Sequence, residues 1–288
     1  MTTTSDPDTT TGTTGTTTGL ARLGAESITV GYGERPVISD LTFDVPDGKV
    51  TSIIGPNGCG KSTLLRTLAR LLKPTTGAVR LDGQPITSLS TRDVSQLMAL
   101  LPQSPVAPEG LLVRDLVGRG RHPHQKWFSQ WSADDEQVVA AAMRMTDTHD
   151  LADRAIDQLS GGQRQRAWIA MTLAQDTDLV LLDEPTTFLD LAHQVEVLDL
   201  VTRLNRERGR TVAMVLHDLN LAARYSDVVV VMKDGAIVAQ GDPVATLTGE
   251  LLADVFGLEA DVISDPRTGL PIVVPVSSAA RAALTSSG

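Results

Sequence analysis

Eight consecutive residues, Gly55, Pro56, Asn57, Gly58, Cys59, Gly60, Lys61 and Ser62, carry the chemistry of phosphate binding. They follow an apolar, β-branched run at Val50–Ile54. They lead into a stretch with leucines at helical spacing (Leu64, Leu65, Leu68, Leu71). Strand, glycine loop and helix, in that order, is the setting in which backbone N–H groups wrap a phosphate chain. The glycines let the backbone close on an anion without Cβ clashes. Lys61 supplies a point charge for the β- and γ-oxygens, and the Ser62 hydroxyl is a ligand for Mg²⁺.

A second anion loop lies downstream, at Leu159, Ser160, Gly161, Gly162 and Gln163. Ser160 can cap the helix expected over 164–175, leaving the first N–H groups at Gly161 and Gly162 to face an anion. The apolar run 179–182 then ends in Asp183 and Glu184. Neighbours on a strand point to opposite faces, so the two acids need not share a task. Asp183 suits a metal, through water, and Glu184 suits a general base for an attacking water. Gln103 follows one strand-like run and His217 ends another. If both strands share a sheet, both side chains emerge at its nucleotide-binding edge. There Gln103 could ligate the metal or orient water, and His217 could touch the γ-phosphate. Tyr32, after a strand, could stack on a base or pack a turn.

These residues need a scaffold, and the apolar pattern supplies one. Strands are expected at 27–30, 41–45, 50–54, 78–81, 98–101, 179–182, 211–216 and 228–232, with helices at 61–72 and 191–207 among them. That alternation predicts an α/β fold whose central strands are parallel. The stretch 105–158 breaks the rhythm, with helical segments at 112–118, 134–145 and 148–156, and reads as a helical insertion. Lys233, Asp234 and Gly235 form a hairpin turn, and 265–269 a second one before 270–276. Residues 1–19, nearly all Thr and Gly, cannot bury a core and are expected to be disordered, and 277–288 to fray.

The bulk properties set limits. The chain has 288 residues, 41% hydrophobic and 21% charged, as ordinary globular proteins do. A net charge of −10 argues against broad nucleic-acid binding and against electrostatic adhesion to anionic lipid. No apolar run approaches the ~20 residues of a membrane span, and no secretory leader is expected. Cys59 is the single cysteine, which rules out an internal disulfide and fits a reducing compartment. His122 and His124 have no third ligand nearby in sequence, so no metal site is read there.

The order of these motifs resembles that of the ATP-binding cassette (ABC) ATPases. It runs from the phosphate loop through Gln103, the Ser160 loop, Asp183-Glu184 and Leu189-Asp190 to His217, and covers roughly 22–276. The resemblance implies a P-loop core, an antiparallel β-subdomain and a helical subdomain over about 105–158. It implies ATP and Mg²⁺, with Ser62, Gln103 and Asp183 at the metal. Glu184, His217, Gln103 and Lys61 would be catalytic, with Thr63 completing the phosphate loop. It implies a head-to-tail dimer in which Ser160, Gly161, Gly162 and Gln163 hold ATP seated on a second copy's Lys61. Tyr32 matches the adenine-stacking aromatic and Asp190 the loop that couples the two sites.

A narrower likeness, to ATPases of ferric-siderophore importers with haem and cobalamin importers as near relatives, rests on 118–124, 159–171, 184–190, 216–220 and the late hairpin. Phe188 suits that subgroup. The likeness implies two membrane permease subunits, an extracytoplasmic siderophore-binding protein, no nucleic acid, and a peripheral seat on the cytoplasmic face of the cell membrane. Trp127, Phe128 and Trp131 would either seat a permease helix or staple the helical region's own core. Two other classes fit less well. A soluble ABC ATPase of repair or translation needs a long coiled coil or second cassette, and a GTPase needs an Asn-Lys-x-Asp motif that is missing.

Overall fold

The structure is a computed structural model that describes residues 21–33, 35–125, 131–187 and 189–276. The expectations for 1–19, Trp127, Phe128, Phe188 and 277–288 lie outside those residues.

The chain opens with two long antiparallel strands, β1 (Leu23–Tyr32) and β2 (Arg35–Val45). After β3 (Val50–Ile54) comes α1 (Lys61–Leu68), then β4 (Thr76–Leu81) and the short β5 (Gln84–Pro85). Next are α2 (Thr91–Leu97), β6 (Met98–Leu101), α3 (Val113–Gly118), α4 (Ala133–Met145) and α5 (Gly161–Ala174). The second half runs β7 (Leu179–Asp183), α6 (Leu191–Arg208), β8 (Thr211–Val215), α7 (Leu219–Tyr225), β9 (Val228–Lys233) and β10 (Ala236–Gly241). It ends with α8 (Pro243–Thr246), α9 (Gly249–Phe256), β11 (Ala260–Ser264) and β12 (Pro271–Pro275).

Three sheets result among the described residues. The central one has the order β10-β9-β3-β8-β7-β6, parallel from β9 to β6 with β10 antiparallel at one edge. The second, β2-β1-β4-β5, is antiparallel throughout. The third is the terminal hairpin β11-β12. The central strands are buried on both faces, and their side chains alternate between two cores. Leu179 and Leu181 of β7 join Ile53, Ala213 and Val215 in the core shared with α1 and the antiparallel sheet. Val180 and Leu182 join Val212, Met214 and the helices α3 to α7 in the other.

Among the described residues between β6 and α5 lie helices, 3-10 turns and one isolated bridge, Leu112 to Ala155. The expected helix over 148–156 is instead two 3-10 turns, His149–Leu151 and Ile156–Gln158. The buried hydroxyls of Thr146 and Thr148 donate to the carbonyl of Met143, and Asp147 turns left-handed (φ 51°). Those contacts turn the chain before a helix can start. Likewise α1 stops at Leu68 rather than residue 72, because Arg70 sits at φ 62° and reverses the backbone. The Lys233-to-Ala236 turn is a two-residue hairpin with Asp234 and Gly235 both at positive φ, as the right-handed twist of its strands requires.

The helical region is anchored by a buried ion pair. Arg121 Nε lies 2.8 Å from Asp135 Oδ1, and Arg121 also donates to the carbonyl of Ala174 at the end of α5. Asp135 closes a capping box with Ser132 at the start of α4. The Arg121 guanidinium, with Ser132, holds the Asp135 carboxyl below the usual carboxylate range against the opposing effect of burial. Asp135→Ala would leave a buried guanidinium without its partner, and should cost about 3 kcal/mol in urea unfolding. The unfolded-state pKa is the higher one. The pair's contribution is therefore complete above the ordinary Asp value of about 3.9 and is lost as pH falls through the lower folded value. Unfolding curves measured down that range should show Asp135→Asn with the shallower pH dependence.

Candidate functional site

Four parallel strands deliver their carboxyl ends to one edge of the central sheet, where ligands of open α/β sheets bind. β3 brings the phosphate loop, β6 brings Gln103, β7 brings Asp183 and Glu184, and β8 brings His217. They surround a cavity of about 530 Å³. Tyr32, Asn57, Gly58, Gly60, Lys61, Ser62, Thr63, Gln103, Glu184 and His217 line it, as does Val37.

The loop itself is shaped by its glycines. Gly55 sits at φ 153°, and a Cβ there would overlap the carbonyl of Met232 on β9. Gly58 and Gly60 also have positive φ. Cys59 is buried within the loop, and its backbone N–H donates to the carbonyl of Pro56. Lys61 Nζ donates to the carbonyls of Gly55 and Pro56, each at 2.9 Å. The ammonium therefore stands inside the curl of the loop, facing the space the loop encloses. Asn57 and Gly58 form its exposed tip.

On the floor, Ser62 Oγ donates to Asp183 Oδ1 at 2.7 Å. Arg66 Nε donates to Asp183 Oδ2 at 3.2 Å, and Arg66 Nη2 to Gln103 Oε1 at 3.2 Å. The Asp183 side chain has no exposed surface. Burial pushes its carboxyl above the usual range, while Ser62 and Arg66 pull the other way. Ser62, Asp183 and Gln103 thus offer a cluster of oxygen donors, one carboxylate and two neutral. That set matches a hard divalent cation such as Mg²⁺, which takes few carboxylates and completes its shell elsewhere.

Glu184 stands on the cavity side. His217 Nε2 lies 2.9 Å from Glu184 Oε1, and Thr187 Oγ1 donates to Glu184 Oε2 at 3.1 Å. Burial pushes this carboxyl up, but hydrogen bonds from His217, Thr187 and Gln103 outweigh it and leave it below the usual range. The Glu184 carboxylate is thus favoured in the ionised form and is hydrogen-bonded at both oxygens. Its backbone is left-handed (φ 56°), a conformation that costs a non-glycine residue roughly 1–2 kcal/mol.

Ser160, Gly161, Gly162, Gln163 and Asp190 are not brought into this cavity by their own chain. Ser160 caps α5 and forms a capping box with Gln163, whose Oε1 accepts the Ser160 N–H. Ser160 and Gly161 are exposed. Asp190 caps α6 and also accepts from His193 Nδ1 at 2.7 Å. Sequence reasoning missed Arg66, Thr187 and Val37. Only Arg66 left a signal, being four residues from Ser62 and so on the same face of α1. His124 bonds the carbonyl of Gln175 at 2.7 Å, a structural contact.

Loop, edge and acid pair define a nucleoside-triphosphate-binding cassette. The ABC transporter family model matches residues 38–187, and the chain belongs to that family, so ATP is its nucleotide. The ferric enterobactin transport ATP-binding protein FepC of Escherichia coli (strain K12) is 51% identical over 92% of this chain and 97% of its own. The petrobactin import ATP-binding protein FpuD of Bacillus anthracis is 54% identical over 88% and 93%. Among solved structures, an inward-facing transporter classed as metal-chelate type superposes with TM-score 0.77 at 29% identity, covering 91% of this chain and 99% of that one. The dimeric cassette MJ0796 gives TM-score 0.68 at 28% identity, over 76% and 98%. The fold is the ABC cassette, with its mainly parallel core and antiparallel β-subdomain.

The overlap of any Gly55 side chain is with backbone, which cannot swing away. Gly55→Ala should destabilise the chain by more than about 1 kcal/mol. It should also abolish retention on an ATP-agarose column while far-ultraviolet circular dichroism stays native.

Proposed function

We propose that this chain is the ATP-hydrolysing subunit of an importer that carries ferric siderophores across the cell membrane. One observation carries the cargo assignment. Five relatives named for siderophore or ferric-chelate import are 49–54% identical over 87–92% of the chain, above the haem-import relative from Thermobifida fusca at 41%; two further petrobactin-import relatives stand at 47% and 38%. No helix among the described residues is long and apolar enough to cross a membrane. Passage of cargo would therefore fall to two permease subunits, fed by an extracytoplasmic binding protein. A groove between α3 and α4, lined by Arg114, Gly118, His122, Trp131 and Met143, is the seat we assign to a permease helix. This chain would be held through it at the cytoplasmic face.

The catalytic unit in this reading is a head-to-tail pair of copies. The exposed Ser160 loop presents the N-terminus of α5 to solvent, ready for the γ-phosphate bound on a second copy's Lys61. Tyr32, more than half exposed, supports stacking on adenine. Ser62, Asp183 and Gln103 would hold Mg²⁺, which when bound neutralises phosphate charge. Lys61 leaves its loop carbonyls for the β- and γ-oxygens. Glu184 takes the proton of the attacking water, and His217 holds the carboxylate and the water in line. Charge on the γ-phosphoryl is met by Lys61 and by Ser160, Gly161 and Gly162 of the other copy. Hydrolysis removes the bridge between the copies.

Glu184→Gln should retain ATP binding, lose turnover by at least ~10²-fold, and elute as a dimer in ATP. Steady hydrolysis by that variant would overturn the assignment of the base. Mixing Lys61→Ala with Ser160→Arg should restore one competent site per pair, so that two inactive proteins regain up to about a quarter of wild-type activity when combined in equal amounts, as random pairing and half-sites require. No recovery would exclude the composite site. For the cargo, cells lacking this chain should lose uptake of labelled ferric siderophore but keep that of haem.

A further inference from the structure

We propose that Arg66 is the positioning residue for the divalent-cation site, holding its ligands in register so that the cation binds tightly. The inference rests on the reading that Ser62, Asp183 and Gln103 are the cation's protein ligands.

The argument begins on α1. Ser62 and Arg66 are four residues apart and share a helix face. Ser62 Oγ grips Asp183 Oδ1 and Arg66 Nε grips Oδ2, at 2.7 and 3.2 Å, so one helix face fixes the carboxylate at both oxygens. The second arm of the same guanidinium reaches Gln103 Oε1 at 3.2 Å. Gln103 follows β6 and Asp183 ends β7, and Arg66 is the side chain that hydrogen-bonds both. A guanidinium is planar and its N–H groups form a rigid fork. The spacing between carboxylate and amide oxygen is thus set by one plane rather than by two independent rotamers. Each oxygen keeps further lone pairs for a cation.

Two effects oppose each other here. A fixed positive charge repels an incoming cation, whereas a fixed ligand geometry favours it. Arg66 is about one-third exposed, so solvent weakens the repulsion. Loss of an outer residue that orients metal ligands typically lowers affinity by about 10–100-fold. Positioning therefore prevails. A role in mere charge neutralisation of Asp183 would be met equally by lysine, which cannot span both partners in one plane.

The test uses the full chain, Mn²⁺ as probe, and adenylyl imidodiphosphate as a non-hydrolysable nucleotide. Free Mn²⁺ is read by electron paramagnetic resonance, and nucleotide binding is measured separately in chelator. Arg66→Met and Arg66→Lys should each weaken Mn²⁺ by about 10–100-fold, with metal-free nucleotide binding kept. The lysine variant retains the counter-charge for Asp183 and guards against a folding defect. Wild-type or tighter Mn²⁺ binding in either variant would overturn the proposal. Asp183→Asn and Ser62→Ala test the underlying ligand assignment. If these leave Mn²⁺ affinity unchanged, the ligand reading fails and the role of Arg66 with it. If they weaken it while the Arg66 variants do not, only the role of Arg66 fails.

Discussion

A carboxylate with no exposed surface governs this site. Asp183 ends β7 inside the protein, where an isolated charge would carry a desolvation penalty of several kcal/mol. The fold meets that demand with the Ser62 hydroxyl on one oxygen and the Arg66 guanidinium on the other. Both come from α1, so α1 must lie across the end of β7 at a fixed rotation. Its start is in turn fixed by the phosphate loop, and the loop by β3. Placing Asp183 therefore places the first turn of α1, whose Lys61, Ser62 and Thr63 line the cavity. Gln103 is drawn in by the same guanidinium. Ser62 at the end of the phosphate loop, Asp183 and Gln103 after β6 are thereby joined in one hydrogen-bonded unit through α1.

Glu184 answers to a different constraint. Regular strand geometry would send it to the face opposite Asp183. Its left-handed backbone ends the strand there, and the carboxylate meets His217 and Thr187. The two acids have opposite electrostatic fates: burial dominates at Asp183, hydrogen bonding at Glu184. The two adjacent acids differ because their surroundings differ, not their chemistry, and the ligand and base roles proposed for them follow that division.

Much of this was legible in the sequence, for a physical reason. Residues 55–62 lie between a strand-like run and a helical pattern, the setting of a phosphate loop, and short apolar runs bounded by turn residues read as strands in a chain of this pattern. Gln103, Asp183, Glu184 and His217 were found because each follows such a run, and parallel strands bring their ends together. Helix 148–156 was misread because two buried threonine hydroxyls and a left-handed Asp147 compete with helical hydrogen bonding. The end of α1 was misplaced for a similar reason, as nothing local marks Arg70 for φ 62°. Arg66 was passed over because its partners are 37 and 117 residues away. Contacts of that range are set by packing, and a single sequence does not display them.

The Ser160 loop shows where one chain stops being sufficient. Its capping box satisfies the N–H of Ser160 and of Gln163 internally, yet Ser160 and Gly161 remain exposed and the loop does not line the cavity its glycines would serve. A helix start that is neither buried nor paired with a ligand of its own chain gains nothing from two glycines, which weaken a helix by about 1 kcal/mol each relative to alanine. The glycines are accounted for if a phosphate approaches the backbone there from another molecule, where a Cβ would obstruct it. Gly162 also packs beside His193, the residue that Asp190 caps and binds, so the loop and the start of α6 form one continuous face. A partner seated on that face would touch the anion loop and Asp190 together. Formation of the second half-site and contact between the copies would then be the same event.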